Sequence, residues 1–119
     1  MPRVASESRE FLSPQEQKAI VAFLFGLKKR KELLEKLVLF GSKARGDYRK
    51  DSDIDLLAVV KRRSAEEGIY EEVANVLSVF GVYLSVKTFP RNEFEDLIRL
   101  KTPFIENINK EGIVLWPKQ

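Results

Sequence analysis

The sequence predicts an α/β (α+β) domain with a β-sheet of about four strands, on three observations. Stretches opened by capping boxes carry apolar residues at helical spacing. Short apolar runs rich in strand formers lie between them and stop at glycine or proline, and one of these runs is apolar on both faces.

The first helix is announced by Ser13-Pro14-Gln15-Glu16, a capping box with proline at the first helical position, followed by Ile20, Val21, Phe23, Leu24 and Leu27 on one stripe. Glu32 to Leu37 is expected to continue helical before the strand run Leu37-Val38-Leu39-Phe40, which Gly41 stops. Ser42 to Tyr48 reads as one helical turn or a loop closed by Gly46. Asp53 to Val60 is the second strand. Alternation puts Ile54, Leu56, Ala58 and Val60 on one face and Asp53, Asp55, Leu57 and Val59 on the other, so its far half should be covered on both sides.

A second capping box, Ser64-Ala65-Glu66-Glu67, opens a helix carrying Ile69, Val73, Val76, Leu77 and Phe80 and ended by Gly81. Val82 to Phe89 is the third strand, broken by Pro90. Glu93 to Leu100 follows as a helix with Phe94, Leu97 and Ile98 inward. Thr102-Pro103 caps a last helix ending near Gly112, and Ile113 to Trp116 is the final strand. Tyr83, Phe89, Phe94, Phe104 and Trp116 are expected in core or interface.

A chain of 119 residues is the size of one compact domain, too small for a catalytic module plus a separate acceptor-binding domain. Residues 1–12 are read as an N-terminal tail and 13–119 as a single domain. The hydrophobic share of 44% with 33% charged residues is that of a globular protein, and no apolar run approaches a membrane span. Met1 to Phe11 is polar and of mixed charge, without the apolar region of a secretory signal, so a cytoplasmic location is expected.

Cysteine and histidine are both absent, which removes disulfides, thiolate or imidazole zinc sites, cysteine nucleophiles and histidine bases. Chemistry must then run on carboxylates, hydroxyls, amines and bound metal. The net charge of +3 is built from clusters at Lys28–Lys31, at Lys43, Arg45, Arg49 and Lys50, and at Lys61–Arg63. Such clusters suit polyanions, triphosphate or nucleic acid, but also serve as solvated faces.

The chemistry concentrates in Phe40-Gly41-Ser42-Lys43-Ala44-Arg45-Gly46-Asp47 and Asp51-Ser52-Asp53-Ile54-Asp55-Leu56. Gly41 allows close backbone approach, and a turn entering a helix at Ser42 offers N–H groups and a hydroxyl to phosphate oxygens. Asp53 and Asp55, two apart on a strand, leave the same face about 6.6 Å apart at the backbone and can converge on a divalent cation, for which Mg2+ is the best match to oxygen ligands. The gap between turn and carboxylates is the length needed to leave one strand and return as its neighbour. Lys43, Arg45 and Arg49 lie in that gap, where they could offset phosphate charge or pair with Asp47 and Asp51.

The pattern Gly-Ser-x-Ala-Arg-Gly followed by Ser-Asp-x-Asp-Leu resembles the minimal nucleotidyltransferases of the DNA-polymerase-beta-like superfamily, with elements from about residue 13 to 116 in a consistent order. The resemblance implies a mixed sheet flanked by helices. It implies that Gly41, Ser42, Arg45 and Ser52 contact ATP or another nucleoside triphosphate, and that Asp53 and Asp55 are the catalytic, magnesium-holding pair. The reaction implied is transfer of a nucleoside monophosphate to a hydroxyl with loss of pyrophosphate.

Members that are active carry a third carboxylate on the strand after the next helix, whereas Val82-Tyr83-Leu84-Ser85-Val86-Lys87-Thr88-Phe89 contains no acid and places Ser85 at the expected position. Glu93, Glu95 and Asp96 are expected to face solvent rather than replace it. Two functions follow from the resemblance: an adenylyltransferase modifying a partner protein, or a contact-acting module weakened by the missing acid. In either case it implies an antitoxin role beside an all-helical HEPN-type partner. Modification of a small molecule such as an aminoglycoside ranks below both, and a homo-oligomer stays open.

Overall fold

The computed structural model describes residues 3–4, 12–30, 34–46 and 53–117. Its elements are β1 (Arg3–Val4), α1 (Pro14–Lys29), β2 (Leu34–Phe40), α2 (Ser42–Arg45), β3 (Ile54–Val60), α3 (Glu66–Phe80), β4 (Leu84–Pro90), α4 (Arg91–Arg99), α5 (Pro103–Glu111) and β5 (Ile113–Trp116). The strands form one mixed sheet in the order β1-β5-β2-β3-β4. Here β2 is antiparallel to both β3 and β5, while β3–β4 and β1–β5 are parallel. The four expected strands are therefore present, and Arg3–Val4 adds a short fifth from within the stretch read as a tail.

β3 organises both sides of the sheet. Its residues Ile54, Leu56, Ala58 and Val60 join Ala19, Ile20, Phe23 and Leu27 of α1 and Ile69, Val73 and Val76 of α3 in the larger core. Leu57 and Val59 face the other way and pack with Val38, Val114, Phe94 of α4 and Ile105 and Ile108 of α5. Helices thus cover both faces, which is why the strand reads as continuously apolar beyond Asp55.

The Ser13 cap forms as the sequence predicts: Glu16 N–H donates to Ser13 Oγ at 3.1 Å and Ser13 N–H donates to Glu16 Oε1 at 2.9 Å. Thr102 likewise accepts from Ile105 N–H at 3.3 Å, opening α5. Gly81 closes α3 in the left-handed conformation, its N–H bonded to Leu77 O.

Four expectations are corrected. Leu34 to Leu37 is strand rather than helix, because pairing with Val60 to Ala58 of β3 overrides the local helix preference of the stretch, while Glu32 lies outside the described residues. The Ser64 capping box does not form. Ser64 sits inside a 3-10 turn, Arg63–Ala65, and Ala65 occupies the cap position of α3 with no side-chain cap bond. Leu77 and Ile98 are solvent-exposed, since only the Ile69/Val73/Val76 stripe of α3 and the Phe94 side of α4 meet the sheet. Tyr83 is exposed, which removes the core from its two expected placements and leaves the interface.

Candidate active site

Two half-sites meet where the C-terminal end of β2 lies beside the N-terminal end of β3. Phe40 pairs with Asp55 across the antiparallel ladder, so the next residue, Gly41, turns directly against the Asp55 side chain. Gly41 has φ +76° and ψ −158°, backbone that is essentially confined to glycine. A Cβ there would overlap Asp55 Oδ2 and lie 3.2 Å from its Cγ. The glycine is required twice, by its dihedrals and by the carboxylate it leaves room for.

From this bend α2 runs for one turn. Ala44 and Arg45 N–H both donate to Gly41 O at 3.1 Å, and Gly46, at φ +83°, closes the turn with its N–H on Ser42 O at 3.0 Å. Ser42 is the first helical residue, so its backbone N–H and hydroxyl stand at the open end of the turn. Ala44 is fully buried in the larger core, where a bigger side chain would lift α2 off the sheet.

Lys43 is directed into the protein. It is 1% exposed, and its ammonium sits 3.1 Å and 3.3 Å from the two oxygens of Glu16, the residue that completes the α1 capping box. Its contact with Glu16 ties α2 to the start of α1, while the expected pairing with Asp47 or Asp51 falls on residues outside those described. Arg45 contacts Glu111 at the end of α5, 3.2 Å away. Ser52, like Asp47, Tyr48, Arg49, Lys50 and Asp51, lies outside the described residues.

Asp55 is half-buried and Asp53, two residues before it, is exposed. The Asp55 carboxyl is held above the usual carboxylate value, first by burial and then by the Asp53 charge, with Lys87 and Arg45 pulling in the opposite direction. On its other side β3 pairs in parallel with β4, and Ser85 stands in register with Asp55. The position expected for a third carboxylate is thus adjacent to the pair and holds a hydroxyl. Among the described residues no group of three or more acidic, histidine or cysteine side chains comes together as a metal site. Glu93 is engaged with Arg63 and Asp96 with Arg99, away from Asp55.

Sequence reasoning did not single out Lys87, Glu16 or Glu111. Lys87 was legible, being two residues from Ser85 and hence on the same face of β4. The other two reach the site only through tertiary packing.

The nucleotidyltransferase domain family matches residues 15–115, nearly the whole described chain. The chain belongs to this family. Two relatives from Methanocaldococcus jannaschii agree. The protein named "Putative protein adenylyltransferase MJ0604" is 36% identical over 85% of this chain and 98% of its own length. The one named "Putative protein adenylyltransferase MJ0141" is 30% identical over 70% and 80%. A crystal structure of the toxin–antitoxin MntA-HpeT superposes with a TM-score of 0.52 at 19% identity, over 87% of this chain and 73% of that one, a likeness of fold. Within the nucleotidyltransferase fold, the Gly41 bend and the Asp53/Asp55 pair are the conjunction that links two adjacent strand ends. Among the described residues no helix is long and apolar enough to cross a membrane.

Proposed function

We propose that this nucleotidyltransferase-family domain transfers AMP from magnesium-bound ATP to a hydroxyl on a partner protein. The observation that carries the reading is the packing of the Gly41-Ser42 bend against Asp55, which sets a phosphate-accepting turn beside a pair of carboxylates.

The donor set fits magnesium. Asp53 and Asp55 offer oxygen ligands only, and their mutual repulsion, part of what raises the Asp55 carboxyl, is relieved by a divalent cation between them. When bound there, Mg2+ would neutralise charge on the triphosphate and polarise its phosphorus. Ser42 N–H and hydroxyl donate to phosphate oxygens, and Arg45, on the exposed side of the same turn, adds a guanidinium. Ser52 is a further nucleotide contact in this reading. The acceptor oxygen attacks the α-phosphorus, the bond to the pyrophosphate oxygen breaks, and the hydroxyl proton is released.

The names of the two relatives support a protein as acceptor. The toxin–antitoxin assembly of the structural neighbour is the arrangement we propose for the biological setting, with this chain in the cytoplasm as antitoxin to a HEPN-type helical partner. Incubation with α-labelled ATP, Mg2+ and a HEPN-type helical protein from the same source tests the reading: label on that protein supports it, while nucleotide that binds without any transfer refutes it.

Ser85 favours a second reading. With a hydroxyl in register with Asp55, the site keeps the ligands for nucleotide but loses an anion beside the acceptor, so the domain would act by contact. If Asp53→Ala leaves neutralisation of the partner intact, contact suffices.

A further inference from the structure

β4 offers the carboxylate pair a cation in place of an anion. In the parallel β3–β4 ladder Asp55 stands opposite Ser85 and Leu57 opposite Lys87, so Ser85 and Lys87 share the face on which Asp53 and Asp55 project. Phe89, next on that face, packs with the smaller core beside Phe104. The Lys87 ammonium lies 5.8 Å from the centre of the Phe104 ring, which supports its stem from the α5 side. Phe104 also meets Phe40, the strand partner of Asp55, with ring centres 5.7 Å apart, so the ammonium lies over the same end of the sheet face as that carboxylate.

We propose that Lys87 is a nucleotide-binding residue whose fixed charge stands where a second divalent cation would otherwise sit, making this a one-cation centre. The inference rests on the nucleotidyltransferase reading above and specifies its charge arrangement. Two metal ions about 3.5–4 Å apart need enough anionic ligands to hold both. Two carboxylates with a hydroxyl neighbour hold one, its remaining positions filled by water and phosphate oxygens. A second ion on the β4 side would meet an ammonium rather than an acid. Lys87 brings a positive charge that is part of the chain, on a stem long enough to reach triphosphate oxygens as a point-charge donor.

Manganese binding measured by electron paramagnetic resonance, with a non-hydrolysable ATP analogue at saturation, tests this without requiring turnover. The wild-type chain should take up one Mn2+ per molecule. Lys87→Met should still take up one but bind the analogue about tenfold more weakly, the scale of one charge-assisted contact, and Lys87→Arg should recover most of that loss. Ser85→Asp combined with Lys87→Met should take up two. Two ions in the wild-type chain, or unchanged analogue affinity in folded Lys87→Met, would overturn the proposal while leaving the nucleotide site standing. No analogue-dependent manganese uptake by the wild-type chain would overturn the underlying reading as well.

Discussion

Replacing Gly41 by alanine tests the site and the fold together. The new Cβ imposes a side chain on backbone at φ +76°, ψ −158°, and it overlaps Asp55 Oδ2 with Asp55 Cγ at 3.2 Å and Cβ at 3.3 Å. Side chains in this conformation cost about 1–3 kcal/mol. For a domain of this size about 5 °C of melting temperature is lost per kcal/mol, so Tm should fall by roughly 5–15 °C. Gly81→Ala is the control. Gly81 is also left-handed, at φ +68°, but nothing lies within 4 Å of an added Cβ, so it should lose only about 1 kcal/mol. The two variants differ in what the added methyl meets. Gly81→Ala should bind magnesium–ATP like the parent chain, whereas Gly41→Ala should lose binding, because the Asp55 carboxylate must swing away to admit the methyl. Differential scanning fluorimetry gives the two shifts and titration calorimetry the binding. A Gly41→Ala chain that melts within 2 °C of the parent and keeps its magnesium-dependent nucleotide uptake would refute the claim that bend and carboxylate form one site.

The remaining expectations are shorter. Glu16→Ala removes a carboxylate contact of the buried Lys43 together with one half of the Ser13 capping box and should cost about 3 kcal/mol in chemical denaturation, more than Lys43→Met, which leaves a Glu16 that water can still reach. Asp55→Asn should raise the melting temperature of the metal-free protein at neutral pH. The folded carboxyl is raised, so the stability it contributes is present below the ordinary carboxylate value of 3.8 and is lost as pH rises through the folded value. The advantage of the amide should accordingly vanish on acidification, and added Mg2+ should stabilise the parent but not the variant. Ser85→Asp should increase transfer of label from ATP to the partner if the hydroxyl is all that limits the native chain. An increase in nucleotide binding with no gain in transfer would count for the contact-acting reading.

The parts of the site that were legible in the sequence are those encoded locally. Gly41-Ser42 and Asp53/Asp55 each lie within a few residues, and the apolar alternation of Ile54 to Val60 fixes which face the carboxylates share. What pairing and packing decide was not legible. Leu34-Glu35-Lys36 has the composition of a helix end and becomes strand because β3 supplies its hydrogen-bond partners. The sequence offered phosphate, Asp47 or Asp51 as partners of Lys43 and gave no sign of Glu16, distant in the chain, which meets the ammonium on the core side of α2. Ser64 has a capping sequence and no cap, since the 3-10 turn at Arg63–Ala65 already supplies the entry into α3. The Leu34 miss is a local preference overruled by strand pairing with a distant segment, whereas the Ser64 miss is one local motif displaced by another.

That the same short turn sends Lys43 inward and Arg45 outward separates two jobs that a run of basic residues would otherwise blur. Lys43 and Ala44 pack α2 against α1 and the core, which supports the bend at Gly41 from behind. Arg45 and Lys87 then approach the carboxylate pair from different elements, α2 and β4, and both act on Asp55. A divalent ion between Asp53 and Asp55 would cancel the two carboxylates, leaving these two cations facing the incoming phosphates. On the proposed function, charge selection for a polyphosphate would then depend on metal loading first. Free nucleotide would meet a carboxylate pair carrying no metal and should associate more slowly than its magnesium complex, by a margin that shrinks as ionic strength is raised.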